Sequence, residues 1–390
     1  MTLRLAAWET TAACNLACAH CRAEARTEPD PDELSTGEVK ALVNDIAAMP
    51  RPGASRPVIF IISGGEPLLR PDVFEIAAHS TAAGLHTVLA TNGTLLDRTA
   101  VTHLREAGVR RLSVSLDGPG PESHDVFRGV PGAFDRAAAG LAEARAQGLP
   151  VQINTTVTRR NAGLLPEMLE KAVELGAVAW DVFMLVPTGR GTAEPGVSAA
   201  EYERILHWVA RKSFTAPVEV KVTCGPHYAR VWRRLAGGAD GGDPLGRTRG
   251  RPGAPSGPGD RGARRHGHGR GGAPRAPGGC LAGDGFVFVS RTGDVRPCGY
   301  LRLSAGSVRQ RPLSDIYVSS ELFAALRDPG RRGGKCGRCE YGPVCRGCRA
   351  RALAQSGDYL AEEPLCLWKP RPSAGAPAAA GAALDGVEAP

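Results

Sequence analysis

Aromatic side chains are scarce, at 5% of the chain, and no run of about 18 apolar residues occurs anywhere in it. The second absence excludes a membrane-spanning helix. The first is complete in the arginine-rich stretch at 237–279, where no Phe, Trp or Tyr is interleaved to stack the bases of a nucleic acid. The start, "MTLRLAAWETT", lacks the charged region and apolar core of an export signal. The expectation is a cytoplasmic protein with neither a membrane nor a nucleic acid as partner.

A net charge of +8 argues otherwise only until its distribution is read. Between Gly237 and Gly279 lie eight arginines (247, 249, 251, 261, 264, 265, 270 and 275) against three aspartates (240, 243 and 260), which is +5 of the +8. That stretch is Gly/Pro/Arg-rich with almost nothing apolar to bury, so residues 237–279 are expected to be a disordered insertion. Residues 370–390 are expected to be a disordered tail. The whole 390-residue chain is 42% hydrophobic, enough for a large core.

What the chain does have is alternation. Strand candidates at 3–10, 57–63, 86–92, 110–117, 151–158 and 179–186 are separated by segments of helical periodicity, one opening with the capping box Ser35 and Glu38. Several candidates are apolar on both faces, as parallel strands covered by helices are. Six strand–helix repeats predict an α/β fold, a partial (β/α)6 TIM-like barrel over residues 1–200, followed by a connecting helical segment at 201–236. In such folds chemistry collects where strands end. The polar motifs fall there: Cys14 to Cys21 after the first candidate, "SGGEPLL" after the second, "TNG", "SLDG" and "PTGRG" after later ones.

Eleven cysteines are many for a reducing compartment, and they cluster. Cys14, Cys18 and Cys21, spaced C-x3-C-x2-C, can each bind one iron of a [4Fe–4S] cluster and leave the fourth iron without a protein ligand. An open position marks a catalytic metal. The alternative is a zinc knuckle, for which His20 is the only nearby fourth donor. Near the other end, Cys336, Cys339, Cys345 and Cys348, followed by Cys366, suit either zinc or iron–sulfur ligation. "FVFVSRTGDVRPC" reads as a hairpin turning at Thr292-Gly293-Asp294.

Cys14-x3-Cys18-x2-Cys21 with a ring residue, His20, before the last cysteine, together with "GGEP" at 64–67, resembles the radical S-adenosylmethionine (SAM) superfamily. The resemblance implies that SAM chelates the open iron and is cleaved reductively to a 5′-deoxyadenosyl radical. It implies that Gly64, Gly65 and Glu66 hold the methionine ammonium, and that Asn92, Ser115, Asp117 and Asn154 meet the ribose and methionine polar groups. Each of these four also has a plain reading as turn chemistry. Arg128, in "HDVFRGVPGAFDRA", binds a carboxylate or caps a helix.

The C-terminal cysteines resemble the SPASM extension, a small cysteine-rich auxiliary-cluster domain, here at 280–369, that holds one or two further [4Fe–4S] clusters. By that resemblance Cys336, Cys339, Cys345 and Cys366 complete one cluster, and Cys280, Cys298 and Cys348 supply three ligands of another. Two residues rather than the family's three separate Cys345 from Cys348. Cys224 is left as the fourth ligand, a buried free thiol, or a hydrogen donor near the substrate. "TCGPHY", "GCLAGDGFVFVSRTGDVRPCGYL" and the last cysteine run look most like the branch that trims side chains of siroheme-derived tetrapyrroles in heme and heme d1 biosynthesis. That implies a tetrapyrrole substrate, its carboxylates held by Arg159, Arg160 or Arg190, with His227 or Cys224 near the macrocycle, and an electron donor such as flavodoxin or ferredoxin. The alternatives are a maturase of a ribosomally made peptide, against which the short stretch before the first strand counts, and a non-catalytic metal-binding protein.

Overall fold

The computed structural model describes residues 2–51, 53, 56–237 and 276–371. The expected disordered stretches at 237–279 and 370–390 lie almost wholly outside the described residues.

All six expected strands form: β1 (Leu5–Glu9), β2 (Ile59–Ser63), β3 (His86–Thr91), β4 (Arg111–Ser115), β5 (Val151–Val157) and β6 (Ala179–Met184). They pair in sequence order, every pair parallel. Helices α1 (Thr36–Ala48), α2 (Val73–Ala82), α3 (Arg98–Glu106), α4 (Pro121–Arg128), α5 (Ala133–Ala146) and α6 (Leu165–Glu174) cover one face. The capping box forms as read: Ser35 N–H donates to Glu38 Oε2 at 2.8 Å and Glu38 N–H to Ser35 Oγ at 3.3 Å. Beyond α5, Gly148 turns the chain with φ +73°, a left-handed value that glycine adopts without strain.

The segment 201–236 departs from its expectation of a purely helical connection. Helices α7 (Ala199–Ser213) and α8 (Tyr228–Ala236) flank a seventh parallel strand, β7 (Glu219–Thr223), which pairs with β6. With Glu, Lys and Thr at alternate positions, "EVKVT" has only Val220 and Val222 facing helices, too weak a signal to stand out. On the other edge β8 (Phe286–Val289), from the cysteine-rich half, runs parallel to β1. It turns through Gly293 (φ +90°) into antiparallel β9 (Asp294–Arg296) and then β10 (Gly306–Ser307). The result is one ten-stranded sheet, ordered β10-β9-β8-β1-β2-β3-β4-β5-β6-β7. The auxiliary half thus continues the barrel sheet.

The core lies between sheet and helices. Ile62, Leu89, Val114, Ile153, Val182 and Leu206 are all buried, each contributing about 1.5–3 kcal/mol of transfer free energy. The opposite, concave face of β4 to β7 is polar. Ser115 pairs with Asn154, Asn154 with Asp181, and Asp181 with Lys221. Among the described residues no helix is long and apolar enough to cross a membrane.

Candidate active site

The cysteine loop leaves β1 and is pinned from several sides. Thr10 N–H donates to Ser63 C=O at 2.7 Å, Cys14 N–H to Arg26 C=O at 2.7 Å, and Ala17 and Ala19 N–H to the carbonyls of Arg128 and Phe127, both at 3.1 Å. Arg190, expected to hold a substrate carboxylate, instead clamps this loop. Its Nε donates to Cys18 C=O at 2.9 Å and its Nη1 to Ala25 C=O at 2.7 Å. Arg160 is likewise engaged, with Glu194 at 2.9 Å, and exposed Arg159 donates to Gly196 C=O at 3.2 Å.

None of the eleven thiols is in a disulfide. Each thiol of the loop meets N–H donors: Leu16 N–H at 3.5 Å and Asn92 Nδ2 at 3.9 Å on Cys14, Arg128 Nη1 at 3.6 Å on Cys18, Ala25 N–H at 3.4 Å on Cys21. Burial pushes Cys14 up to about 11 and raises Cys18 as well, so in the metal-free chain these thiols keep their protons. A bound cation displaces them, and the donors then stabilise the thiolates. This donor set fits an iron–sulfur cluster. A lone zinc ion would need several donors within reach of one point. Among the described residues no group of three His, Cys, Asp or Glu side chains meets that condition.

"GGEP" packs directly on this loop. Gly65 and Glu66 N–H donate to the carbonyls of Thr11 and Ala13, both at 2.8 Å. A Cβ on Gly64 would lie 2.5 Å from Thr10 Oγ1, and one on Gly65 would overlap the Ala13 carbonyl. The glycines therefore let two backbones touch. Gly65→Ala is expected to cost about 1–3 kcal/mol by overpacking and to lower iron uptake at this loop, measured by denaturant unfolding and iron assay. Glu66 is fully buried. Its oxygens accept from Thr91 Oγ1 at 2.7 Å, Asn92 N–H at 2.8 Å and Leu68 N–H at 3.2 Å. Its carboxylate thus ties the segment after β2 to β3.

Asp117 is similarly committed. Its Oδ1 accepts from Thr156 N–H at 2.6 Å and its other oxygen pairs with Arg128. Arg128 bridges that carboxylate and Cys18 and so has a partner of its own in the fold. His20 stacks on Phe127, centroids 4.4 Å apart, with Nε2 3.8 Å from Asp117. Burial pushes His20 down to about 4, so it is neutral at physiological pH. Asn92 donates to Asn15 Oδ1 at 2.8 Å and accepts from Thr94 N–H at 2.9 Å. Ser115 and Asn154 are half-buried on the concave row, and Asn154 accepts from Gln152 at 2.7 Å.

The concave row holds one residue the sequence reading passed over. Asp181 is buried, its Oδ2 accepts from Thr223 Oγ1 at 3.0 Å, and its Oδ1 has no partner. Burial pushes its carboxyl up to about 6 from an ordinary value near 3.8, outweighing nearby Lys221. A raised acid destabilises the fold above its folded value, and the penalty vanishes below about pH 4 where both states are protonated. Asp181→Asn should therefore stabilise the protein at pH 8 by on the order of 2–3 kcal/mol and by less at pH 5, a difference read by unfolding at the two values.

The remaining eight cysteines fall into two groups. Cys224 lies within electrostatic reach of the Cys348, Cys298 and Cys280 thiols, an inner group against the barrel. Cys345 and Cys339 lie close to Cys336 and Cys366, an outer group. The short Cys345–Cys348 spacing works because Arg346 (φ +68°) and Gly347 (φ +64°) are both left-handed and turn the chain from one group to the other. Cys224 is itself left-handed, φ +57°, a strained state for a residue with a Cβ. Two donors to its carbonyl hold it there, Tyr202 Oη at 3.0 Å and Arg351 Nη2 at 3.1 Å. Arg349 Nη2 reaches Cys336 Sγ at 3.7 Å. His227 is buried with neither ring nitrogen hydrogen-bonded, 3.9 Å from Glu363.

Comparison with known proteins accords with this geometry. The radical SAM superfamily profile matches residues 8–176, and that of an iron–sulfur cluster-binding domain, SPASM, matches residues 280–349. An AdoMet-dependent heme synthase of Methanosarcina barkeri is 48% identical over 94% of this chain and 97% of its own. The chain belongs to the radical SAM superfamily. A pre-heme d1 synthase of Dinoroseobacter shibae is 31% identical over 92% of this chain and 85% of its own. The crystal structure of Streptococcus suis SuiB bound to precursor peptide SuiA shares the fold, with a TM-score of 0.69 and 16% identity over 94% of this chain and 76% of that one. This radical SAM enzyme uses [4Fe–4S] clusters and SAM, and its partial barrel carries a cysteine-rich C-terminal domain, as the sequence reading expected.

Proposed function

We propose that this radical SAM enzyme removes carboxylate side chains from a siroheme-derived tetrapyrrole in the cytoplasm, as a step in making a heme. The observation that carries the substrate class is the likeness to a heme synthase along 94% of the chain. The reading as a peptide maturase has less support: a mycofactocin maturase of Mycobacterium tuberculosis is 29% identical over 92% of this chain, against 48% for the heme synthase.

Cys14, Cys18 and Cys21 would hold the first cluster, with SAM on its open iron. When bound, cluster and SAM supply a 5′-deoxyadenosyl radical. Around them the chain positions and shields. Backbone at Gly64 and Gly65, the buried Asn92 and the half-buried Ser115 and Asn154 offer polar contacts to SAM. Glu66, Asp117 and Arg128 fix the loops those contacts come from. The apolar core behind β4 to β6 keeps water off the radical from that side. Cys280, Cys298, Cys348 and Cys224 would hold an inner auxiliary cluster, and Cys336, Cys339, Cys345 and Cys366 an outer one. On this reading one hydrogen atom would pass from the substrate side chain to the 5′-deoxyadenosyl radical, giving 5′-deoxyadenosine; loss of CO2 would leave an alkene, with one electron to be passed on. Flavodoxin or ferredoxin would serve as the one-electron donor for SAM cleavage.

The test is anaerobic reconstitution, then incubation with SAM, dithionite and an iron porphyrin bearing propionate side chains. Formation of 5′-deoxyadenosine together with CO2 and a vinyl product is expected. Cleavage of SAM without porphyrin conversion, but with conversion of a peptide, would overturn the substrate assignment.

A further inference from the structure

Resting on that reading, which leaves one electron to dispose of per carboxylate removed, we propose that the face formed by the end of α8 and Leu367–Lys369 docks an acidic one-electron carrier protein. The carrier takes that electron from the outer cysteine group. The electron passes from the reduced outer cluster to the oxidised carrier. The cluster is oxidised by one electron and the carrier reduced by one.

Three observations converge on this face. The first is its nearness to the outer group. Trp368 is two residues from Cys366 and stacks edge-on against Tyr341, centroids 5.4 Å apart, while Tyr341 itself lies between Cys339 and Cys345. Lys335 Nζ donates to Cys366 C=O at 2.6 Å. Anything seated on the indole is within a few side chains of those thiols.

The second is shape and polarity. A cleft of about 380 Å³ is lined by Leu235, Leu367, Trp368, His207 and Arg234 among others. Leu235 and Leu367 are exposed, at 37% and 52%. An apolar centre with a polar rim is the anatomy of a transient protein interface.

The third is charge. Arg230 and Arg234 sit over the Trp368 ring, 5.2 and 4.8 Å from its centroid. Two carboxylates here are paired with cations, Glu203 with Arg230 at 2.6 Å and Glu362 with Lys335 at 3.5 Å, while Glu340, which accepts from the neutral Trp368 Nε1 at 3.2 Å, keeps its charge. Exposed Arg234, Arg338 and Lys369 form no ion pair among the described residues, so these set three cations against the one carboxylate of Glu340 and leave a positive balance. A patch of this sign selects an acidic partner and speeds its arrival.

The experiment uses the fully reconstituted enzyme, an oxidised flavodoxin and an oxidised [2Fe–2S] ferredoxin as probes. The double variant R234E/K369E and the single variant L367D are compared with wild type. Dithionite-reduced, desalted enzyme is mixed with each probe, and carrier reduction is followed by stopped flow at low and high ionic strength, with binding measured in parallel. The expected result is salt-sensitive binding that R234E/K369E weakens about tenfold or more, with electron exchange slowed in step. Iron content and dithionite-driven 5′-deoxyadenosine formation stay at the wild-type level in both variants. Unchanged binding in both variants, salt-insensitive binding, or loss of self-association in place of carrier binding would each overturn the proposal. Because the exchange needs neither SAM nor porphyrin, it is read even if the substrate assignment fails.

Discussion

Cys18→Ala abolishes 5′-deoxyadenosine formation while the protein keeps about eight of about twelve irons. Cys18 is the middle of three ligands on a loop that offers no fourth. Losing it leaves two thiols for a four-iron cluster, too few to hold one through turnover. The auxiliary groups are drawn from the end of β7, from the segments flanking the β8–β9 hairpin and from the C-terminal segment, and share no residue with the loop. Anaerobic reconstitution with iron and sulfide quantitation, followed by a SAM cleavage assay, reads both halves of the expectation. Full cleavage by the alanine variant would falsify the assignment of the loop. Loss of all iron would show that the three groups assemble as one unit.

Arg351→Met destabilises the protein by about 3–5 kcal/mol, the cost of leaving a buried carboxylate without its cation. Arg351 and Glu363 are both buried. The guanidinium Nη1 donates to the two Glu363 oxygens at 3.1 and 3.3 Å, and Nη2 donates to Leu185 C=O and Cys224 C=O, both at 3.1 Å. Glu363 in turn accepts from Cys348 N–H at 2.7 Å, and its own N–H donates to Cys336 Sγ at 3.3 Å. One ion pair thus joins the barrel end, the inner group and the outer group. The double variant R351M/E363Q should recover much of the stability, because it removes the stranded charge along with its partner. It should not recover the iron of the inner group, since Cys224 then loses one of the donors that hold its left-handed backbone. Denaturant unfolding with iron quantitation on both proteins separates these effects.

The strands, the first cysteine loop and "GGEP" were legible because each carries a local signal: apolar runs of strand length, ligand spacing on one loop, and paired glycines where backbones must touch. β7 was passed over because it is only five residues long, carries just two apolar residues and sits between two helices. Glu66 and Asp117 were found as positions, but their partners inside the protein were not. From sequence a carboxylate beside glycines looks free to bind a cation, and only packing showed Thr91, Asn92, Leu68, Thr156 and Arg128 occupying those oxygens. Arg190 was misplaced for the same reason. The Arg351–Glu363 pair was missed altogether. Two charges twelve residues apart have no helical or strand register to announce them, although charged residues among ligating cysteines are themselves a signal.

By itself the sequence determined which thiols exist, their spacing, and that three of them share one loop at a strand end, because ligand chemistry and strand periodicity are both local properties. Only the tertiary structure decided that Cys224 joins Cys280, Cys298 and Cys348, because the group is drawn from segments separated along the chain and is assembled by β7 on one side, β8 on the other and the turn at Arg346-Gly347. Grouping of distant residues is set by which surfaces bury one another, and that is a property of the folded chain.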